Sequence, residues 1–146
     1  MIKKRIFALL LTTVMTMGCL TLTANAANTV DTGFKFTVSE NTQYTESRVK
    51  ETSTSTYVKI DQVPVQYVVC RVYGYIPSYA TGTNEWKNET VGGSVSIGVG
   101  QWEVYQNVYE HKGRNAKLGF TRFSTNGICS GVWSPDCAGH YKVATK

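Results

Sequence analysis

Alternation of apolar and polar residues with a period of two is the feature that most constrains the fold of this chain. In the segment from 33 to 38 it places Phe34 and Phe36 on one face, with polar residues opposite. Successive side chains of a strand point to opposite faces, so the pattern is typical of β-strands. Comparable segments, rich in Val, Ile, Thr, Tyr and Phe, lie at 57–60, 63–76, 91–100, 102–108, 116–123 and 128–133. No helical window of useful length lies between them, and about seven or eight short strands around one core predict an all-β, small antiparallel β-sandwich or barrel.

The segment 63–76 is the longest of these candidate strands. It is apolar on both faces over much of its length, so we expect a central strand covered on both sides. Pro64 is expected where that strand begins, because proline cannot donate to a ladder. The polar run 40–56 predicts a long loop or a solvated edge strand, and the segment 77–88 predicts a loop.

The first residues have the pattern of a secretion signal. A positively charged start over 1–5 precedes an uncharged, mostly apolar segment over 6–22, and residues 24–26 are Ala-Asn-Ala, a small-x-small cleavage site. The polar sequence that follows supplies no stop-transfer segment. We therefore expect residues 1–26 to be a cleaved signal peptide and residues 27–146 to be a single β-sandwich domain that is secreted.

A retained membrane anchor and lipidation of Cys19 are the alternatives to soluble export. The apolar segment is interrupted by threonines and falls short of the ~20 strongly apolar residues that a spanning helix needs. Thr16, instead of the usual Leu, lies three residues before Cys19, and apolar sequence continues past the cysteine to Leu22. Cleavage after Ala26 explains that continuation better, so no stable membrane span is expected.

Removal of the signal changes the charge argument. The whole chain carries 15 basic and 10 acidic residues, a net charge of +5. Without the three bases at 3–5, twelve bases face ten acids, a net charge of +2. The remaining bases are scattered, whereas nucleic-acid binding needs clustered Lys and Arg. No nucleic-acid partner is expected.

Three cysteines remain after the predicted cleavage, and export places them in an oxidising compartment. We expect a disulfide between Cys129 and Cys137, because a loop this short closes at little entropic cost. Cys70 would then be a buried free thiol, since its neighbours Val69 and Val72 are apolar. The alternative is a bridge across the sandwich from Cys70 to Cys129 or to Cys137.

Titratable residues form no convincing catalytic or metal-binding set. His111 and His140 have no ligand residues at metal-binding spacing, and both are expected to be solvated. Glu85 and Glu89 flank Trp86 and could form a carboxyl pair for glycoside hydrolysis, but loop acids four residues apart are usually only solvated. We therefore predict no catalytic, cofactor-binding or metal-binding residue and no cofactor, and we do not expect an enzyme.

Aromatic residues are the feature that packing explains least well. Tyr73, Tyr75, Tyr79 and Trp86 crowd the end of the long candidate strand and the segment after it, and a second group, Trp102, Tyr105 and Tyr109, follows later. Such rings could stack on sugars or lie at an interface. The alternative is that they fill the core of a small sandwich. The four residues of the first group are our candidate binding aromatics.

Three segments resemble a family of small exported proteins of Gram-positive bacteria that is classed as a domain of unknown function. They are the segment Thr-Gly-Phe-Lys-Phe-Thr-Val at 32–38, the stretch 48–54 leading into Tyr-Val-Lys at 57–59, and Ser-Gly-Val-Trp at 130–133. Cys129 and Cys137 depart from the family's pattern. The resemblance implies bacteriocin-like activity or a role linked to export, and it brings no catalytic residues.

These observations favour a secreted, non-enzymatic β-domain that acts at or near the cell surface, with a partner on the cell surface or in the cell wall. The resemblance adds bacteriocin-like activity to that expectation. Three alternatives stay open: a carbohydrate-binding or cell-wall-binding module, a cell-wall-active enzyme, and a plain structural component.

Overall fold

The structure, a computed structural model, describes residues 26–79 and 81–146, so the predicted signal peptide lies outside the described residues except for Ala26. Eleven strands and no helix form within the described part, which therefore holds no helix long and apolar enough to cross a membrane. The strands are β1 (Thr32–Val38), β2 (Gln43–Tyr44), β3 (Arg48–Val49), β4 (Thr56–Gln62), β5 (Val68–Pro77), β6 (Asn84–Asn88), β7 (Val95–Ile97), β8 (Gly100–Val104), β9 (Asn115–Arg122), β10 (Gly127–Ser134) and β11 (Lys142–Val143).

The strands form two sheets, which confirms the predicted all-β sandwich. A five-stranded sheet has the order β1-β10-β4-β8-β11, and a six-stranded sheet has the order β2-β9-β5-β6, with β3 also paired to β9 and β7 to β5. The named strand pairs are antiparallel except for β11 and β8. There are more strands than the seven or eight predicted partly because β2, β3 and β11 are only two residues long, too short to show an alternating pattern.

The hydrophobic core lies between the inner faces of the two sheets. In β5 every second residue from Val68 to Ile76 is buried, and those between them are half-buried. Phe34 of β1 stacks on Phe120 of β9, with ring centroids 4.8 Å apart, and this contact joins the two sheets. Trp133 of β10 is one of the largest fully buried side chains.

Two sequence predictions about individual segments need correction. β5 was expected to be covered on both sides, but the sandwich has only two layers and its outer face remains partly exposed. The segment 77–88 was expected to be a loop, yet Asn84–Asn88 forms β6. The residues of β6 are all exposed, so they show no buried–exposed alternation by which a strand could be recognised. The polar run 40–56 contains the short strands β2 and β3.

The predicted disulfide between Cys129 and Cys137 is not present in the structure, where the described cysteines are buried free thiols. From Cys129 the chain continues in strand β10 to Ser134. At about 3.3 Å per residue the strand carries the chain roughly 16 Å before it turns. The N–H of Cys137 then donates to Thr54 Oγ1 at 3.2 Å, which holds it beyond that end of the strand. Closeness in sequence does not bring these two cysteines together here, because the intervening residues are extended.

Cys70 and Cys129, by contrast, both belong to the core between the sheets. Their cross-strand neighbours are Phe120 and Phe36, respectively, and those two rings are 6.1 Å apart. Burial raises the pKa of both thiols, that of Cys129 to about 12, and the neighbouring Cys129 raises the pKa of Cys70 further. The alternative pairing across the sandwich stays a prediction, and non-reducing peptide mapping tests it.

A buried ion pair, which the sequence analysis did not anticipate, joins the segment before β4 to the segment after β10. Lys50 Nζ lies 2.9 Å from Asp136 Oδ1, and both side chains are 0% exposed. The ammonium group also donates to the carbonyl oxygens of Thr54 at 2.6 Å and Pro135 at 2.8 Å. All three of its hydrogens therefore have acceptors.

The carboxylate of Asp136 is equally well satisfied. Its Oδ2 accepts hydrogen bonds from the backbone N–H groups of Asn28 at 2.7 Å and Glu51 at 3.0 Å. Its Oδ1 accepts from the backbone and the hydroxyl of Thr52. Burial alone would raise the pKa of Asp136, but these hydrogen bonds and the Lys50 ammonium outweigh it and hold the pKa below its usual value. Desolvation lowers the pKa of Lys50 in spite of its partner.

Candidate binding surface

The outer side of the six-stranded sheet carries a cluster of aromatic side chains around one lysine. We call it the aromatic face. Its strands lie in the order β2-β9-β5-β6, so its members form a strip across neighbouring strands. The members are Tyr44 on β2, Lys117 on β9, Tyr73 and Tyr75 on β5, and Trp86 on β6.

Strand parity and register bring these side chains together. In β5 the alternate residues are buried in the core, so Tyr73 and Tyr75 point to the other side. Tyr73 is directly opposite Lys117, and Tyr75 is directly opposite Trp86. Directly paired residues share one face of a sheet, which places all four on the outer side.

The rings form two pairs that the lysine connects. Tyr44 meets Tyr73 edge to face at a centroid distance of 5.2 Å, and Tyr75 packs against Trp86 at the same distance. Lys117 Nζ lies 4.2 Å from the centre of the Tyr44 ring and 4.3 Å from that of Trp86. Both contacts are within the range of a cation–π interaction. Tyr44 and Trp86 nevertheless remain 44% and 38% exposed.

Gly119 makes room for the two tyrosines. It lies on β9 opposite Tyr44 on one side and Arg71 on the other. A Cβ atom at this position would lie 2.6 Å from Tyr73 Cε2 and 3.1 Å from Tyr44 Cε1. The rings can therefore lie across the backbone of β9 only because residue 119 has no side chain.

The aromatic face is cationic. By register, the outer positions of the described strands β5, β6 and β9 include no acidic residue. Those positions are Val69, Arg71, Tyr73, Tyr75, Pro77, Asn84, Trp86, Asn88, Asn115, Lys117, Gly119 and Thr121. Arg71 donates to the Thr121 hydroxyl at 3.2 Å. Within the described residues neither Arg71 nor Lys117 has a carboxylate within 4.0 Å. The positive charge on this face is thus not neutralised by the protein itself.

The hydroxyl groups of the aromatic face add hydrogen-bonding capacity. Burial raises the pKa of Tyr73 above its usual value, and the neighbouring Tyr44 raises it further. Tyr73 is therefore a neutral phenol at physiological pH, and a neutral phenol can both donate and accept a hydrogen bond. The face combines ring planes with polar groups at their edges.

Three of the four candidate binding aromatics lie in this cluster, and the fourth does not. Tyr73, Tyr75 and Trp86 belong to the aromatic face, whereas Tyr79 follows β5, is 84% exposed and lies 5.9 Å from Lys112 Nζ. The sequence analysis did not select Tyr44 or Lys117. The alternation in 116–123 indicated the side of β9 on which Lys117 lies, but nothing in sequence indicated that β9 separates β2 from β5.

A second candidate site is an open pocket of about 420 Å³ beside β6. Its lining includes Tyr79, Lys87, Glu89 and His111. The carboxylate of the largely buried Glu89 is 2.6 Å from His111 Nδ1. His111 was predicted to be solvated, but in the structure it has this carboxylate as a partner. Glu85 instead pairs with Lys87 at 3.0 Å, so the two acids have separate partners.

A histidine oriented by a carboxylate can act as a general base. Catalysis by such a pair also needs a nucleophile or substrate group within reach of the free ring nitrogen. The lining of the pocket also includes Lys112. In 26–79 and 81–146 no group of three or more His, Cys, Asp or Glu side chains is placed to hold a metal ion.

Comparison with known proteins identifies the family of the chain but no characterised relative. A family described as a protein of unknown function, DUF2712, matches residues 22–137. The match covers most of the chain, which therefore belongs to this family. No curated protein and no solved structure matches it.

Proposed function

We propose that this DUF2712 protein is an exported, non-enzymatic binding domain that acts at or near the cell surface and binds cell-wall carbohydrate through its aromatic face. The observation that carries the proposal is the strip of half-exposed rings on the outer side of a regular sheet. A tyrosine or tryptophan ring presents an apolar plane with a polar edge. Sugars likewise combine C–H surfaces with hydroxyl groups, so the two surfaces are complementary.

The rigidity of the aromatic face supports binding. Its rings stand on hydrogen-bonded strands and pack against one another at 5.2 Å, so few rotamers have to be fixed when a ligand binds. The outer positions of β5, β6 and β9 provide no acidic pair of the kind that cleaves glycosidic bonds. The face has groups that bind and none that would act as an acid–base pair.

Sedimentation of the purified protein with insoluble peptidoglycan sacculi tests the proposal. Trp86→Ala should weaken binding about fivefold, because an aromatic contact is worth on the order of 1 kcal/mol and 1.4 kcal/mol is a factor of ten. Tyr105→Ala is the matched control, since Tyr105 is also about half exposed but does not belong to the aromatic face. Equal losses in the two variants, or no binding of the wild type, would refute the proposal.

The pocket with Glu89 and His111 favours a second candidate function, that of a cell-wall-active enzyme. The short contact between the two side chains is the observation behind it. His111→Asn should abolish release of soluble fragments from sacculi if this pocket is catalytic. Sacculi that release nothing above the background of a boiled sample would exclude the enzyme.

Bacteriocin-like activity and a Gram-positive origin are proposals that derive from the family resemblance. Binding of the cell wall by the aromatic face is compatible with them, because a toxin that acts from outside must first attach to the target cell. A growth-inhibition spot test on related Gram-positive strains examines this directly. Inhibition zones around the wild type that disappear with Trp86→Ala would show that the aromatic face is needed for the antibacterial activity. The absence of zones would contradict bacteriocin-like activity and leave the binding proposal unaffected.

A further inference from the structure

We propose that the ligand of the aromatic face is an acidic polysaccharide, one that carries carboxylate or phosphate groups along its chain. This inference rests on the proposed carbohydrate binding and adds the chemical class of the ligand. It derives from the position of Lys117 among the rings and from the absence of acids on the outer positions of the described strands β5, β6 and β9.

Lys117 is held where a bound sugar would lie beside it. Its ammonium group contacts the Tyr44 and Trp86 rings at 4.2 and 4.3 Å, while both rings retain exposed surface. A lysine on an open surface has many rotamers, and fixing one of them has an entropic cost. The two rings fix this lysine before any ligand arrives, so an anionic group that reaches it meets a preorganised cation.

Arg71 extends the positive charge across the sheet. Arg71 lies opposite Gly119 and Lys117 lies opposite Tyr73, so the two cations are diagonal neighbours on β5 and β9. Diagonal neighbours on one face of a sheet are about 7–8 Å apart. Neither has a carboxylate partner among the described residues. Arg71 reaches towards Thr121, on the side of Gly119 away from Lys117, so the two charges are further apart than their backbone positions. Two separated cations on one face suit a polymer with recurring acidic groups better than a single anion.

A neutral polysaccharide would not use these charges. It would also have to displace water from the two cations without a compensating ion pair, which disfavours binding. An acidic polymer replaces that water with carboxylate or phosphate oxygens. Surface ion pairs contribute about 0.2–1 kcal/mol each, so two of them correspond to roughly a two- to thirtyfold preference for the acidic form.

Affinity measurements with polygalacturonate and with its fully methyl-esterified form test the inference, because esterification removes the negative charge of each carboxylate and leaves the sugar backbone unchanged. The wild type should bind polygalacturonate at least about twofold more tightly, and added salt should reduce the preference by screening. Lys117→Gln should bring the ratio of the two affinities towards one, and Lys117→Arg should restore it. Lys35→Gln, at an exposed lysine of the other sheet, is the control and should leave the ratio unchanged.

The possible failures are distinguishable. Equal affinity of the wild type for the two polymers, or a preference that Lys117→Gln leaves undiminished, would overturn the acidic ligand and leave carbohydrate binding intact. Failure to bind either polymer or sacculi would overturn both proposals. Binding to vesicles of anionic phospholipid, without binding to either polymer, would assign the aromatic face to a membrane surface instead. Circular dichroism confirms that each variant is folded.

Discussion

The buried ion pair and the aromatic face each contain a lysine, but the environments of the two lysines differ. Lys50 and Asp136 are charged, completely buried and provided with partners for all their hydrogen-bonding capacity. On the aromatic face, the Lys117 ammonium lies against two rings and has no carboxylate within 4.0 Å among the described residues, and Trp86 keeps 38% of its surface exposed. A polar group whose partners are all supplied by the protein stabilises the fold, whereas one that lacks them is available to a ligand.

The comparison also separates lysines by their contribution to stability. Burying a charge is costly, so the Lys50–Asp136 pair depends on all its hydrogen bonds, and loss of either partner leaves an uncompensated charge in the interior. Lys117 remains in contact with solvent and loses little if its surroundings change. Substitutions in the first region should therefore change stability, and substitutions in the second should change binding.

Removal of the Asp136 carboxylate should have the largest effect. Asp136→Ala should lower the free energy of unfolding by about 3–5 kcal/mol, because Lys50 stays buried without its counter-ion. Asp61→Ala is the matched control, since Asp61 pairs with Lys59 at 3.0 Å but both side chains are about half exposed. The control should cost less than about 1 kcal/mol. Equal effects in urea denaturation would contradict the distinction between the two regions.

Acid should weaken the buried pair in a defined direction. The pKa of Asp136 is lower in the folded protein than the ordinary aspartate value of 3.8. A depressed carboxyl pKa means that the stabilisation is complete above the unfolded pKa and declines as the pH falls from there through the folded pKa. The difference in unfolding free energy between wild type and Asp136→Asn should thus shrink below about pH 4. A difference that stays constant down to pH 2 would mean that ionisation of Asp136 does not stabilise the fold.

Gly119→Ala should have a smaller effect on stability and a clear effect on binding. Its Cβ would lie 2.6 Å from Tyr73 Cε2, so the rings of the aromatic face must move. The loss of stability should be about 1 kcal/mol, near the lower limit for overpacking, because the rings can swing towards solvent. Affinity for polygalacturonate should fall severalfold. Gly33→Ala, where the nearest atom to the added Cβ is 3.9 Å away, should change neither quantity.

The strands were predictable from sequence to the extent that one of their faces is buried. The apolar run 63–76 indicated a strand, and β5 forms within it and one residue beyond, but Val68, Cys70 and Val72 alternate with half-buried residues, so only one of the two apolar faces is fully covered. In β6 all residues are exposed, so burial leaves no pattern in its sequence. Sequence-local reasoning also failed for Cys129 and Cys137, because whether the residues between them turn or extend is decided by pairing with β1 and β4.

The candidate site was predictable only in part. Tyr73, Tyr75 and Trp86 stood out because they are close in sequence, but Tyr44 and Lys117 come from distant strands. Their position depends on the strand order β2-β9-β5-β6, which the alternating pattern does not determine. For the same reason the partner of Lys50, which lies 86 residues away along the chain, was not foreseen.

Acrylamide quenching of tryptophan fluorescence tests most directly whether the aromatic face is the binding surface. The chain has three tryptophans, of which Trp102 and Trp133 are 8% and 1% exposed and Trp86 is 38% exposed. Saturating polygalacturonate should reduce the quenching of tryptophan fluorescence by acrylamide, because the bound polymer covers Trp86. In Trp86→Phe the polymer should not change the quenching. Binding of the polymer with unchanged quenching of Trp86 would contradict the account.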